Sequence, residues 1–332
     1  MFEDYFYFSS SMDMLKKHFT LYAQEILERF DPESVLEIGC NDGVLLKPLA
    51  DRGIKRLFGI DPARNVTQTI QDPRITVIND YFRSGLVEPV DCIVANNVMA
   101  HIDDIAQAFK DVAKGLKPDG VFIFEVNRLD SLIADNQYDW VYHEHLYYYS
   151  LIALEPLLKR CGLRIFDLKR IGTHAGSIRY YACKDRRPET LIVQEQRRRE
   201  SWHRLDDIER FHEFAERAVE HRERMRDLVL SAKGSVAGYG ACGRANTMLQ
   251  WCGFDHTNID FIVDDATAKQ GYFTPGSHIP IRSREALKEQ PDMLIVFAWS
   301  FLADISKKCA DYRGKMVIPL PDLYISEQRA AA

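Results

Sequence analysis

A chain of 332 residues, 46% hydrophobic and 28% charged, is long enough for about two packed domains without covalent staples. Its formal net charge of −6 argues against nucleic acid or an anionic membrane as the main partner, because both select basic surfaces. No apolar run is long enough to span a bilayer, and the N-terminus lacks the basic-then-apolar layout of a secretion signal, so a cytoplasmic protein is expected.

Apolar spacing predicts an amphipathic helix over residues 11–30. "SVLEIGC" reads as a buried strand and "DGVLLKPLADRG" as a helix closed by Gly53. "RLFGID", "ITVIND" and "DCIVANN" follow as strands, then "DDIAQAFKDVAKGL" as a helix. The turn Lys117–Gly120 leads into a fifth strand, "GVFIFEV". Short apolar strands alternating with helices predict a parallel, doubly wound α/β sheet. Residues 186–230 are highly charged with apolar residues at helical spacing, and predict one or two long helices joining two domains, their Arg/Glu runs forming solvated faces. A second α/β pattern begins at 231: "GSVAGYG" (strand), "RANTMLQWCG" (helix), then the strands "IDFIVDD", "PDMLIVFAWS" and "GKMVIPLP". The expected domains are therefore 1–185, a helical linker 186–230, and a second Rossmann-like domain 231–332.

"LEIGCNDG" sets Gly39 and Gly43 after a strand and before a helix, where a ligand can approach the backbone at a helix N-terminus. Glu37, Asp42, Asp61 and Asp80 surround this loop. Carboxylates there would repel a diphosphate and suit ribose hydroxyls, an adenine amine or a cation; Asp61, ending the second strand, is placed for a ribose. With "VLEIGCNDGVLLKPL", "GIDPA", "INDYF", "NNVMAHIDD" and "LKPDGVFIFEV" in this order, residues 33–127 resemble the class I S-adenosylmethionine (SAM) methyltransferases. The resemblance implies that the Gly39–Gly43 loop, with Glu37 and Asn41, meets the methionine end of SAM. It implies further that Asp61 and Pro62 take the ribose, that Asp80 and Tyr81 flank the adenine, and that Asn96 and Asn97 lie beneath the sulfonium.

"VYHEHLYYYS" (141–150) gathers two histidines, a glutamate and four tyrosines. A metal site is one candidate, but His143 and His145 diverge on a helix and share a face only on a strand, and the H-E-x-x-H spacing is absent. The seven cysteines are scattered without a C-x-x-C pair, so neither a disulfide framework nor a zinc site is expected. Together, "FEDYFYFSSSM", "YHEHLYYYSL", "THAGSIRYY" and "GYGACGRANTML…YFTPGSHIPI" resemble the sugar-nucleotide C-methyltransferases, which methylate C3 of a nucleoside-diphosphate (NDP) 4-keto-6-deoxyhexose, TDP-, GDP- or other. The likeness runs from about residue 3 to 320. It implies that the middle of "YHEHL" supplies the catalytic base, with His145 the best match, Glu144 beside it as the other candidate, and Tyr142 in the same machinery. The chemistry needs such a group: carbon becomes nucleophilic only once a proton leaves, and the C4 ketone spreads the resulting charge onto an oxygen that needs hydrogen-bond donors. His101 at the end of the fourth strand, and Tyr5 or Tyr7 from the aromatic N-terminal arm, are the expected donors.

"VAGYGACGRANT" carries a literal G-x-G-x-x-G at Gly238, Gly240 and Gly243, with Asp264 ending the next strand. By itself this pattern predicts NAD binding and an oxidoreductase, the alternative function. The family resemblance instead assigns this domain to the sugar nucleotide, with Tyr239, Gly240, Gly243, Arg244, Asn246 and Asp264 as binding residues; a diphosphate would use the helix N-terminus and Arg244. His174, Ser177 and Arg179 of "THAGSIRYY", Tyr5 and Asn127 are assigned to the same substrate. The chain departs from the family in three places. It starts where a cysteine-rich zinc domain would end, so no metal is expected. Asn127-Arg128 replaces Pro-Tyr, and Cys242-Gly243-Arg244-Ala245 replaces Pro-Ala-Lys-Gly.

Overall fold

The computed structural model describes residues 3, 8–11, 13–172, 176–184 and 187–327. In chain order the elements are α1 (Asp13–Phe30), β1 (Ser34–Ile38), α2 (Leu46–Asp51), β2 (Arg56–Ile60), α3 (Arg64–Thr67), β3 (Ile75–Ile78), β4 (Val90–Asn96), α4 (Ile105–Gly115), β5 (Leu116–Asn127), α5 (Leu129–Ala134), α6 (Leu151–Arg160), β6 (Arg164–Ile171), β7 (Ser177–Cys183) and α7 (Leu191–Trp202). They continue with α8 (Ile208–Leu230), β8 (Val236–Tyr239), α9 (Gly243–Cys252), β9 (Phe261–Val263), β10 (Ile281–Arg282), β11 (Met293–Val296), α10 (Leu302–Lys308), β12 (Lys315–Ile318) and β13 (Tyr324–Glu327).

The chain divides into two compact units, one of residues 1–128 and 146–202, the other of 129–145 and 203–332. This differs from the continuous domains expected from sequence. The helices of 186–230 are not a free linker: α7 packs with the first unit and α8 with the second. Each has its own buried side, Val193, Gln196 and Glu200 on α7 and Ala218, His221, Met225 and Val229 on α8. Residues 129–145 also join the second unit, where Tyr138 Oη meets His221 Nδ1 at 3.0 Å and Asn136 donates to the Arg217 carbonyl.

Among the described residues the first unit holds a seven-stranded sheet ordered β3-β2-β1-β4-β5-β7-β6, all parallel except β7, which runs antiparallel to both neighbours. The sequence pattern announces β1 to β5 and assigns no strand to 164–183. β7 is buried along its whole length, including Arg179, whose charge masks the apolar run. Alternation along the strands divides the core in two. Leu36, Ile93, Phe122 and Phe124 face Phe109, Leu154 and Leu158 on one side. Val35, Val94 and Ile123 face Leu15, Tyr22, Leu45 and Leu49 on the other.

The second unit has a sheet ordered β10-β9-β8-β11-β12-β13, parallel except for β13. Each sheet therefore reverses its winding once, between β1 and β4 in the first and between β8 and β11 in the second. At such a switch point the loops leaving the carboxyl ends of the strands open a crevice for ligands. Among the described residues no helix is long and apolar enough to cross a membrane.

Candidate active site

At the first switch point, the loop after β1 turns with Gly39, Asn41 and Gly43 at φ values of 68°, 49° and 74°. A side chain on Gly39 would be strained by that φ and would put Cβ 2.9 Å from Val98 Cγ2. The loop is pinned by Asp61, whose carboxylate accepts from the Asn41 N–H at 3.0 Å and the Ala63 N–H at 2.9 Å. It is covered by the turn Ser9–Ser11: the Ser9 N–H donates to Asn41 Oδ1 and the Ser10 N–H to Asp42 Oδ2, both at 3.0 Å.

Four oxygen atoms around this loop are buried without a hydrogen-bond partner among the described residues: Glu37 Oε2, Asp42 Oδ1, Asn96 Oδ1 and Asn97 Oδ1. All are acceptors. Glu37 takes one bond, from Asn96 Nδ2 at 3.2 Å, and burial, with the charges of Asp61 and Asp42, pushes its carboxyl well above the ordinary carboxylate range. Burial also raises Asp61, against its two backbone hydrogen bonds. Unpaired buried acceptors are costly, so the site selects a ligand rich in N–H and O–H donors or carrying positive charge, and it disfavours a diphosphate. Asp80 pairs with Arg83 at 2.7 Å and accepts the Tyr81 N–H, and Tyr81 is exposed at the rim. Pro62 lies in the chain between Asp61 and Ala63, the acceptor and the donor of the second loop-pinning bond.

His101 is half-buried in the 3-10 turn Met99–His101 that follows β4. This turn is held by residues of the "VYHEHLYYYS" segment. Leu146 donates its N–H to the Ala100 carbonyl at 2.8 Å, Tyr149 its hydroxyl to Met99 O at 2.7 Å, and Tyr147 its hydroxyl to Asp103 O at 2.6 Å. The hydroxyls of Tyr147 and Tyr149 are thus committed to the backbone of the β4 loop.

In the second unit, His145 Nε2 lies 3.2 Å from Tyr142 Oη, and the His145 N–H bonds the Tyr142 carbonyl at 3.0 Å. The imidazole lies 4.5 Å from the Tyr142 ring and stacks on Trp140 at 5.7 Å and 13°. Glu144 is half-buried and His143 exposed. Among the described residues no group of three or more His, Cys, Asp or Glu side chains is arranged to hold a metal.

Several assignments change. Arg179, assigned to the substrate, lies in the first core: it is 2% exposed, with Nε 2.7 Å from Glu125 Oε1, Nη1 2.9 Å from Glu25 Oε2, and its guanidinium over the Tyr22 ring. Burial works to raise Glu125, but the His18 hydrogen bond and the Arg179 charge more than offset it and hold its carboxyl below the usual range. Ser177 is fully buried and paired with Asn127 across β7 and β5. Arg244 is spoken for by Asp139, at 2.9 Å from Nε and 2.6 Å from Nη2. Asp264 accepts from the Ala241 and Ala266 N–H groups, both at 2.8 Å, with Lys269 Nζ at 3.3 Å, so its carboxylate closes its own loop. Tyr239 is buried and donates to Asp265. Gly240 is forced by packing, since a Cβ there would fall 2.6 Å from that of Ala298, and Gly243 faces the Tyr142 ring. Asn246 Oδ1 is the one assigned group of this loop buried without a partner among the described residues. Tyr5, Tyr7 and His174 lie outside the described residues. Sequence reasoning missed Glu125, His18, Asp139, Trp140 and His221, which are single polar or aromatic residues inside otherwise ordinary elements.

A parallel sheet of order 3-2-1-4-5-7-6 with its seventh strand reversed, and an acceptor-lined glycine loop at its switch point, define a class I methyltransferase domain. Family comparison agrees: residues 14–168 match a methyltransferase domain and residues 172–321 a C-methyltransferase C-terminal domain. C-methyltransferase NovU of Streptomyces niveus is 32% identical over 341 residues, spanning 97% of this chain and 81% of that protein. A ubiquinone biosynthesis O-methyltransferase of Methylobacterium sp. (strain 4-46) is 26% identical over 49% of this chain and 72% of its own. Among solved structures, the PH0226 protein of Pyrococcus horikoshii OT3 aligns with a TM-score of 0.46 and 16% identity over 54% of this chain and 95% of that one. The chain belongs to the C-methyltransferase family, and it is an enzyme of that class.

Proposed function

We propose that this enzyme uses SAM to methylate C3 of an NDP-linked 4-keto-6-deoxyhexose, with His145 as the base that generates the enolate. The observation that carries the reading is the His145–Tyr142 pair, an imidazole held at hydrogen-bond distance from a phenol and backed by Trp140. The four acceptors of the β1 and β4 region that lack partners among the described residues support SAM, whose ammonium, ribose hydroxyls and adenine amine are donors. Asp61 retains lone pairs for ribose hydroxyls beyond its two backbone bonds, and Asp80 and Tyr81 lie at the adenine end. When bound, SAM supplies a methyl group on a sulfonium.

His145 removes the C3 proton of the sugar, and the C–H electron pair becomes the enolate, with charge on the C4 oxygen. Tyr142, turning its hydroxyl from Nε2, donates to that oxygen. His145 is followed in the chain by Leu146, whose N–H is bonded beside the β4 loop. A positioned base of this kind contributes roughly 10²–10⁴-fold. The acceptor set of the first loop favours this reading over an NAD-dependent oxidoreductase.

The test uses a TDP-linked 4-keto-6-deoxyhexose carrying deuterium at C3. Wild-type enzyme loses the deuterium and adds one methyl group on carbon. His145→Gln cuts turnover and deuterium loss together while SAM affinity by calorimetry stays within about twofold, because the base acts on the sugar. Wild-type turnover in His145→Gln, or a methyl group found on oxygen, refutes the proposal.

A further inference from the structure

The third glycine and the arginine of the G-x-G-x-x-G segment sit in the first turn of α9, yet their surroundings do not suit a phosphate. Arg244 is 8% exposed and three of its five N–H donors are bonded within the protein. Nε and Nη2 bond Asp139 Oδ2 at 2.9 and 2.6 Å, and Nη1 lies 3.1 Å from Ser300 Oγ. The guanidinium also lies 4.3 Å from the Trp140 ring centre and 4.5 Å from that of Trp299. Trp299 Nε1 donates to the same Asp139 oxygen at 2.9 Å. Asp139 is fully buried, so this pair is held in low dielectric where its geometry is rigid. One residue earlier, a methyl group on Gly243 would lie 3.6 Å from Tyr142 Cε2, so the bare backbone of this turn faces the phenol ring.

Two consecutive residues of α9 therefore support two different rings, Gly243 that of Tyr142 and Arg244 that of Trp140. Those are the rings that contact His145, at 4.5 and 5.7 Å. We propose that Arg244 and Asp139 are positioning residues that fix the orientation of the His145 imidazole through Trp140, and that the first turn of α9 is a platform for the base rather than a phosphate cradle. The proposal rests on the His145 reading above. It explains why arginine stands here: two N–H groups of a planar guanidinium converge on one carboxylate oxygen while its flat faces meet indole rings, and a lysine ammonium has no such plane.

The experiment combines Arg244→Lys, Trp140→Leu and His145→Gln. Arg244→Lys keeps the charge opposite Asp139, and thermal melting verifies that each variant is folded. Arg244→Lys lowers kcat roughly 10- to 100-fold, the scale expected for a misplaced reacting group, with the KM for SAM within about twofold. Deuterium loss from C3 falls in parallel. In the His145→Gln background the same substitution adds less than about twofold, because there is no imidazole left to position. An equal loss in both backgrounds overturns the proposal, as does wild-type kcat in Arg244→Lys.

A second readout does not depend on activity. The His145 ring signal, assigned by its absence from the NMR spectrum of His145→Gln, carries the ring-current shift of Trp140 in the wild type. It moves toward the ordinary histidine position in Trp140→Leu and in Arg244→Lys. An unmoved signal overturns the proposal even where turnover changes. Full turnover in His145→Gln instead refutes the assignment of the base and leaves the NMR result to judge the platform.

Discussion

Replacing Arg179 by methionine tests whether this residue belongs to the core or to a ligand. Its guanidinium bonds Glu125, which is 1% exposed, and Glu25, and lies over the Tyr22 ring. Methionine matches much of the volume and removes the charge, leaving Glu125 buried with only His18 at 3.2 Å as a side-chain partner among the described residues. Breaking a buried pair by removing one member costs about 3–5 kcal/mol, mostly the penalty of an uncompensated charge. At about 2–4 °C per kcal/mol for a unit of this size, the first unit melts roughly 6–20 °C lower. Scanning calorimetry of the intact chain measures this. Arg179→Met combined with Glu125→Gln recovers part of the loss, because the stranded carboxylate is gone and the two changes are not additive. A melting point within about 2 °C of wild type, together with lost turnover, would refute the structural role and return Arg179 to the substrate.

Two further outcomes follow from the same geometry. His221 is fully buried between Tyr138 and the Pro319 carbonyl, and burial holds its pKa below the free value of 6.5. The unfolded chain then binds more protons at this site below about pH 6.5, so stability present above that pH is lost as the pH falls through it. Urea titrations across pH 5–8 show this slope in wild type; a slope unchanged in His221→Gln assigns it elsewhere. Turnover survives chelator treatment, as measured with metal analysis alongside, and activity lost to chelator and restored by zinc would show that the histidine segment had been misread.

Much of the first unit was legible because parallel strands buried on both faces read as continuous apolar runs. β1 to β5 stand out in this way, and the acidic residues at their ends mark the cofactor loop. β6 and β7 were not legible, since β7 carries Arg179 in a fully buried run and nothing in the sequence says that Glu125 and Glu25 neutralise it. The charged stretch 186–230 misled for a related reason. Helical periodicity reveals a buried side but not which core receives it, and Glu200, one of many acids there, is buried and accepts the Leu151 and Ile152 N–H groups at the start of α6. His145 is singled out only through its family segment; Trp140, whose ring lies stacked against it, carries no local signature at all.

The two glycine loops show why a motif underdetermines a site. Each follows the first strand of a doubly wound sheet, each opens a helix, and each has an aspartate at the end of the neighbouring strand. By pattern alone the second is the better dinucleotide loop, with three correctly spaced glycines. The structure separates them by what is left unsatisfied. In the first loop Asp61 holds the turn, while four acceptors around it stay buried without donors among the described residues. In the second, Asp264 takes two backbone N–H groups and Lys269, Arg244 is paired with Asp139 and Ser300, Gly240 is dictated by Ala298, and Gly243 lies against the ring of Tyr142. The same turn thus leaves acceptors around it unpaired among the described residues in one unit and has its aspartate and arginine paired within the protein in the other. The distinction lies in the partners of the polar atoms, which are set by residues more than a hundred positions away in the chain, such as Asp139 for Arg244.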